Sequence, residues 1–532
     1  MSAERYDVVI AGGGHNALLC GAYLARAGQR VLVLEANPQI GGNTSTEEMI
    51  LPGFRFDTGS GAHVLFQASP TWRNKELDLE RYGLHYYYPD PVLTMPFEDG
   101  NSLTMWRDID HTVEEIAHFS AHDAQAYRKL ISDYDAVKKH FGEDRYTPAG
   151  YGPSMDERLS ALPDGALWMR RYRQSAFEVV KSLFEEQHVR TFILWLASLT
   201  AQPIDAPYTG ILAYSIANGR QHNSWVTPAG GSVALPKALS SIIGEHQGCM
   251  LTGKQVTGLI LEEGRCVGVR TADGDSFRGE KAVVSSIHIR HLVEMAPEEA
   301  WGPNFVEYVQ GWQSGFTYFV AQYALSQPPL FEIDGSLQPV AAAGMAGSID
   351  NLLQHMCSMR QGKLHQETPV LLVTCPSVPD PSRAPDGMHT LRLMATFPYD
   401  LKDGGPQRWD EIKEETAERN LNYLCHFVPN ISEEVILGRQ IDSPLDLERR
   451  NLHNWRGSCH GGEATPAQSG MMRPVPGWAS HRMPIPGLYQ TGATTHPGGS
   501  VSGGPGRNAA MVVLEDLGLT LADAIKGEGK DA

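Results

Sequence analysis

Cysteine is scarce in this chain and shows no organisation. Seven cysteines are scattered over 532 residues (20, 249, 266, 357, 375, 425 and 459), odd in number and never spaced CxxC. That excludes a dithiol redox centre and fits reduced thiols in a cytosol-like compartment, so a cytoplasmic location is expected. Positive charge is also short, with 44 Lys and Arg against 62 Asp and Glu and a net charge of -18. Nucleic acid and anionic membrane would both be repelled and are not expected partners. No apolar run reaches the roughly 20 residues that a spanning helix needs. The longest uncharged apolar stretch, Thr191 to Ile204, reads as a buried helix; a shallow, one-sided peripheral membrane contact is the less favoured reading. MSAERYDVVIAGGG enters a strand almost at once, so a signal or transit peptide is not expected. HExxH is missing as well as CxxC, and His118 with His122 reads as a solvated helix face, so no metal is expected. There is no G-x-S-x-G nucleophile elbow, internal repeat or low-complexity tract.

What is present is ordinary in bulk, 42% apolar and 20% charged, and long enough for two large domains. The informative part begins at YDVVIAGGGHNALLCGAYLARAGQRVLVLEA. Tyr6 to Ala11 is a β-branched run suited to a buried parallel strand. Gly12, Gly14 and Ala17 match GxGxxG/A: a tight turn, a backbone free to approach a pyrophosphate, and close helix–strand packing. A helix ending at Gly28 and a second strand, Arg30 to Leu34, then deliver Glu35 where an acid hydrogen-bonds a ribose 2′-hydroxyl. Glu35 would repel a 2′-phosphate, which leaves FAD or NAD.

Two further glycine clusters follow. PQIGGNTSTEE carries Gly41 and Gly42, and GFRFDTG ends at Gly59. With these the chain resembles the FAD-dependent amine oxidase and carotenoid desaturase superfamily, and the resemblance implies FAD. Many members have arginine after the paired glycine; Asn43 stands there in this sequence. Thr227 to Ser286 resembles the block that returns the chain to the cofactor, with Pro228, Gly230 and Gly231 before a helix from about Val233 to Gly244. Val256 then occupies the place of the family's adenine-contacting strand. GLYQTGATTHPGGSVSGGPG, from Gly487, resembles the segment that ends at the flavin. By that resemblance Gly492 and Ala493 form the turn, and Gly503 and Gly504 enter a helix whose N-terminus stabilises reduced flavin. SPLDLERR, CHGG, MMRP and THPG, in that order, place the chain nearest the phytoene-dehydrogenase-like oxidoreductases. One branch of these is named for a pyridine nucleotide-disulphide oxidoreductase domain, although this chain cannot supply the disulphide.

The expected fold is α/β: a Rossmann-type, glutathione-reductase-like FAD-binding domain (1–66, 225–287 and 451–532) interleaved with an α+β substrate domain (67–224 and 288–450). Strands at Phe316 to Tyr323, Val370 to Cys375 and Thr390 to Phe397 suggest a mainly antiparallel floor. Helices are expected over Thr112 to Phe141, begun by a Thr112–Glu115 capping box, and over Trp409 to Phe427. The family chemistry is hydride transfer from a substrate carbon to flavin N5 with formation of a C=C bond. The expected substrate is apolar or alicyclic, with activation by a carbonyl left as an option, and the electron acceptor, oxygen or a quinone, is open. Loss of the neighbouring proton calls for a base or an oxygen-polarising group. His460 in CHGG is the first catalytic candidate and His63 the second; His496 in THPGG reads more simply as a loop-orienting residue. Arg55, Arg473 and Arg507 could hold a carboxylate or enolate, Trp225 and Trp455 could wall the pocket, and Tyr489 reads as strand core. Amine oxidation is the runner-up, since the last segments lack the lysine and paired aromatics of amine oxidases. Double-bond isomerisation is not separable from desaturation. A non-enzymatic lipid- or prenyl-binding protein of the same architecture is the alternative of another class.

Overall fold

A computed structural model describes residues 5–365 and 368–527. Two seven-stranded sheets organise it. In the first, the strands Cys249–Leu251, Val31–Leu34, Tyr6–Ala11, Ser276–Ser285 and Leu488–Gln490 lie side by side and parallel. Val31–Leu34 is buried at every position, as a strand covered on both faces must be. Helices His15–Arg26, Ala234–Glu245 and Gly504–Asp516 cover one face, joined through Leu18, Leu19, Tyr23, Leu239, Val512 and Val513. Ser276–Ser285 has a double role. Its first half pairs antiparallel with Arg265–Thr271 and its second half joins the parallel strands.

The second sheet orders Ile436–Asp442, Thr317–Leu325, His389–Phe397, Leu371–Thr374, Ala342–Met345, Leu93–Pro96 and Ser102–Met105, antiparallel except between Ala342–Met345 and Leu93–Pro96. The period-2 alternation of its central strands sends Phe319, Ala321, Tyr323, Leu391 and Leu393 to the outside, into a core shared with Trp409, Ala417 and Leu424 of helix Trp409–Phe427. Tyr318, Val320, Gln322, Thr390, Arg392 and Met394 face the opposite way, onto a cavity. A mostly helical layer between residues 109 and 223 closes the other side with its own core around Phe192, Trp195 and Tyr214.

Two expected elements differ. Thr112 does not start a helix: Ile109–Ala117 is capped by Asp108, whose side chain accepts from Asp110 N. Thr112 Oγ1 instead accepts from Trp106 N at 2.9 Å. A separate helix, Ala121–Arg145, starts at Ser120, where extended backbone breaks the run. The apolar stretch after Thr191 is helical only to Ser198, in Gln187–Ser198, and is buried there throughout. Among the described residues no helix is long and apolar enough to cross a membrane.

Candidate active site

The carboxyl ends of neighbouring parallel strands open into one cleft, where ligands bind in sheets of this type. After Tyr6–Ala11 the chain turns at Gly12, whose φ of +101° and position 2.3 Å from Ser286 Oγ, measured from where a Cβ would lie, admit no side chain. Gly14 is the N-cap of helix His15–Arg26 and offers no side-chain cap, and no acid occupies the first turn. A Cβ on Gly14 would point into open space. The unsatisfied amides of that turn and the helix dipole therefore face the cleft, a ready site for a diphosphate. Glu35, at the end of the next strand, is held by Gly13 N at 2.7 Å and Asn37 N at 2.8 Å. Lys254 N donates to Glu35 O at 2.8 Å, and Val256, two residues on, lines the same cavity as Glu35.

One cavity of about 640 Å³ runs from these groups to the inner face of the second sheet. Gly12, Gly14, Ala17, Glu35, Gly42, Asn43, Gly59, Val256, Gly492 and Ala493 all line it. Gly41 stands behind, its N donating to Gly13 O at 2.8 Å. The donors and the carboxylate fit an adenine dinucleotide: amides for the phosphates and an oriented acid for a ribose.

Several expected residues are placed elsewhere. Gly503 and Gly504 are outside the lining. A Cβ on Gly503 would meet Leu19 and Phe66 at 3.0 Å, and one on Gly504 would meet Pro497 at 2.8 Å. These glycines, with Gly506 against Asn16 O, let two helices and a loop pack closely. Gly499, Ser500 and Val501 line the cavity instead. Asn43 lines it, but its amide is bonded to the protein, donating to Asn454 Oδ1 at 2.7 Å and accepting from Asn451 and Asn454. It ties the C-terminal segment to the N-terminal one.

The histidines separate clearly. His63 is fully buried behind the wall, bridging Tyr86 OH at 3.0 Å and Ser232 Oγ at 3.2 Å; desolvation pulls its pKa down to about 3. It anchors three segments and does not line the cavity. His496 is also outside; its Nε2–H donates to Asp144 O at 2.8 Å. His460 does line the cavity. Tyr318 OH donates to Leu199 O at 3.1 Å, so its single proton is engaged and it accepts from His460 Nε2 at 3.0 Å. That leaves the lone pair on Nδ1 of His460. Burial, aided by the Arg473 charge, lowers its pKa to about 4. His460 is thus neutral at pH 7 and suited to orienting an oxygen or accepting a hydrogen bond.

The arginines divide the same way. Arg473 donates to five backbone carbonyls, those of His460, Gly461, Glu463, Gln468 and Ala493. It is a clamp on the loops around the site, with no donor left for a substrate carboxylate. Arg507 is paired with Glu76 at 2.8 Å. Arg55 and Trp225 line the cavity and Trp455 does not. Tyr489 is in the strand and donates to Asp516 at 2.7 Å. The sequence reading missed Arg220, Arg383 and Arg392, and the histidines His15, His288 and His453, all of which line the cavity. Arg383 pairs with the buried Asp57 at 2.9 Å. Burial alone would raise the Asp57 pKa, but Arg383 and the hydrogen bonds from Thr46 and Ser232 outweigh it and lower it.

His15, His355, His453, His460 and His481 are all held near pKa 4, chiefly by desolvation. Unfolding returns each toward its ordinary 6.5, so between pH 6.5 and 4 the unfolded chain binds the extra protons. Stability should be full above pH 6.5 and fall as the pH drops, by about 1.4 kcal/mol per pH unit for each such histidine. Urea midpoints measured from pH 8 to pH 4 test this, and a flat profile would refute it.

Comparisons with known proteins agree with the cleft. The family model described as flavin containing amine oxidoreductase matches residues 18–514. The rat pyridine nucleotide-disulfide oxidoreductase domain-containing protein 2 (Rattus norvegicus) is 30% identical, covering 96% of this chain and 94% of its own. One of the chains of the limonene dehydrogenase of Castellaniella defragrans is 27% identical, covering 97% of this chain and 96% of its own. Among solved structures, an oxidoreductase from Methanosarcina mazei superposes with a TM-score of 0.61 at 17% identity, covering 96% of this chain and 99% of that one. All seven cysteines here are free.

Proposed function

Since this chain belongs to the flavin-containing amine oxidoreductase family and is an FAD-dependent oxidoreductase, we propose that it dehydrogenates a carbon–carbon bond of an apolar or alicyclic substrate. The observation that carries this reading is the continuity of one cavity, from the open helix N-terminus at Gly14 to an inner wall of Val320, Leu372 and Met394. We assign the diphosphate to the amides after Gly14, the ribose to Glu35, and the ring system to the region of Gly59, Gly492 and Ala493. Segments 1–66, 225–287 and 451–532 are proposed as the cofactor-binding part. Bound there, the flavin supplies a two-electron acceptor for hydride from the substrate carbon.

The chain's own residues do the rest. The apolar wall excludes water and positions the substrate by shape. His460, held through Nε2 by Tyr318, presents Nδ1 as an acceptor for a substrate hydroxyl or an acidified C–H. The relative named as a limonene dehydrogenase supports an alicyclic substrate. Amine oxidation is disfavoured because Arg220 and Arg392 line the cavity, the wrong sign for an ammonium group. Oxygen or a quinone is the proposed acceptor, and the free thiols support work in a reducing compartment.

Anaerobic mixing with polyenes, cyclic ketones, terpenes and amines, followed by flavin bleaching, tests the reading; bleaching by amines alone would overturn it. His460→Ala should slow bleaching by about 10²-fold, within the range of one general acid–base or polarising group, with bound FAD retained. An unchanged rate removes His460 from the chemistry.

A further inference from the structure

The cavity is basic although the protein is not. Seven Lys and Arg side chains line it against Glu35 and Asp57 alone, in a chain of net charge -18. Four of the seven are paired: Lys254 with Asp273 and Asp275, Arg383 with Asp57, Arg449 with Asp410, and Arg450 with Asp442. Arg55, Arg220 and Arg392 are not, and of these three Arg220 and Arg392 are buried while Arg55 is part-exposed. Arg220 is 7% exposed and Arg392 6% exposed. Among the described residues, neither has a carboxylate within 4.0 Å or a hydrogen bond from its guanidinium to the protein. A buried, unpaired guanidinium is costly, and burial pulls the Arg220 pKa down to about 9.

Their surroundings hold further unsatisfied polar atoms. Arg392 sits directly across from Gln322 in the sheet, with Thr390 two residues along on the same face. Gln322 Oε1, Thr390 Oγ1 and Arg392 Nε are all buried without a partner. The strands that carry them, TYFVAQYAL and HTLRLMATF, are otherwise largely apolar, so this polar cluster does not build the core. Arg220 comes from the other wall, on helix Gly210–Asn223, its guanidinium 3.7 Å over the Trp225 ring. The segment from Gly61 to Val64 runs past Arg392 and past the neighbour of Arg220: from ideal Cβ positions, Gly61 lies 3.7 Å from Arg392 Nη1 and 3.4 Å from Oδ2 of Asp57, the carboxylate that Arg383 already pairs, and Gly219 lies 3.6 Å from Val64.

A second cavity of about 1430 Å³ meets the first at His460, Thr200, Ile216 and Ser500. Arg73, Lys139 and Arg145 line it, and none of the three makes an ion pair within 4.0 Å among the described residues. Seven Lys and Arg side chains line this route against four carboxylates, Glu80, Asp135, Glu143 and Glu463, so an approaching anion meets a net excess of positive charge.

We infer that the substrate carries a carboxylate, received by Arg392 with Thr390 and Arg220, while its apolar body lies along Val320, Leu372 and Met394. This rests on the reading of the cavity as the substrate site and adds a substrate class to it. Planar, two-pronged guanidinium donors match a carboxylate, and the few neutral donors on this face suit two oxygens better than a phosphate's three.

The test uses the FAD-loaded protein and matched pairs: octanoate and cyclohexanecarboxylate, each against its methyl ester, with octyl phosphate as a further arm. Binding is read by calorimetry and by perturbation of the flavin spectrum. The acids should bind at least tenfold more tightly than the esters. Arg392→Met and Arg220→Met should each abolish that preference while keeping bound FAD, and Arg392→Lys should keep part of it. Equal binding of acids and esters, no binding of either acid, tighter binding of octyl phosphate, or loss of FAD from Arg392→Met would each overturn the inference. If a Met variant fails to fold, the Lys variant decides, because unchanged preference there also counts against it. The two readings fail separately. Acids that bind but are never oxidised in bleaching assays sink the dehydrogenase reading and leave the anion site; esters oxidised as readily as acids do the reverse.

Discussion

Gly14→Asp is expected to raise the thermal midpoint of the flavin-free protein and to cut its FAD affinity by on the order of 10³, about 4 kcal/mol, by setting a like charge against the diphosphate. The two effects have one cause. Gly14 has a φ of -71°, caps helix His15–Arg26 with no side chain, and has open space where a Cβ would go. Aspartate fits that backbone and is a preferred N-cap, better than glycine by a few tenths of a kcal/mol, with about 0.3–1 kcal/mol more from its charge at the helix N-terminus. Its carboxylate would occupy the amides assigned to the cofactor phosphates. A structural glycine would give the opposite pattern, lower stability with affinity little changed. Scanning calorimetry of apoprotein and a fluorescence titration with FAD read the two signs independently.

Arg473→Met should lower global stability by about 3–5 kcal/mol, because it leaves several buried carbonyls unpaired at about 1–3 kcal/mol each, partly offset by removal of a desolvated charge. The side chain is 1% exposed, and it gathers five carbonyls from the loops around residues 460–468 and 493. Methionine fills much of the volume and satisfies none of them. Because those loops carry His460, Gly492 and Ala493 to the cavity, FAD retention should fall with stability. Denaturant unfolding of wild type and variant measures the first and gel filtration followed by absorbance the second. A variant as stable as wild type would show that the carbonyls find water instead.

The cofactor cleft was legible because its signals are local. The strand–turn–helix–strand at Tyr6 to Glu35 is a contiguous pattern, and the structure puts the strands at Tyr6–Ala11 and Val31–Leu34. Helix Trp409–Phe427 matches its 3.6-residue pattern from end to end. The glycines after Val501 do enter a helix, Gly504–Asp516, as expected, but close packing and ligand approach both delete side chains, and only the positions of Leu19, Phe66 and Asn16 show that packing uses these. Of the histidines, His460 does line the cavity, and His63 lies behind the wall for a related reason. His63 follows a flavin-proximal motif but faces Tyr86 and Ser232, since one residue along an extended segment reverses the side chain. Arg392 left one readable trace, a charge in an apolar strand with Thr390 two residues before it. Arg220 left none, as an arginine late in a helix ordinarily reads as a favourable partner of the helix dipole.

Everything proposed for the site depends on residues before 66 and after 450 closing around one flavin. The most direct measurement is the visible spectrum of the purified protein, with the flavin released by denaturation and counted per chain. One FAD per chain, with absorption bands in the blue and near ultraviolet that bleach anaerobically with substrate, is the expected result. A colourless protein that takes up no FAD on reconstitution would contradict it.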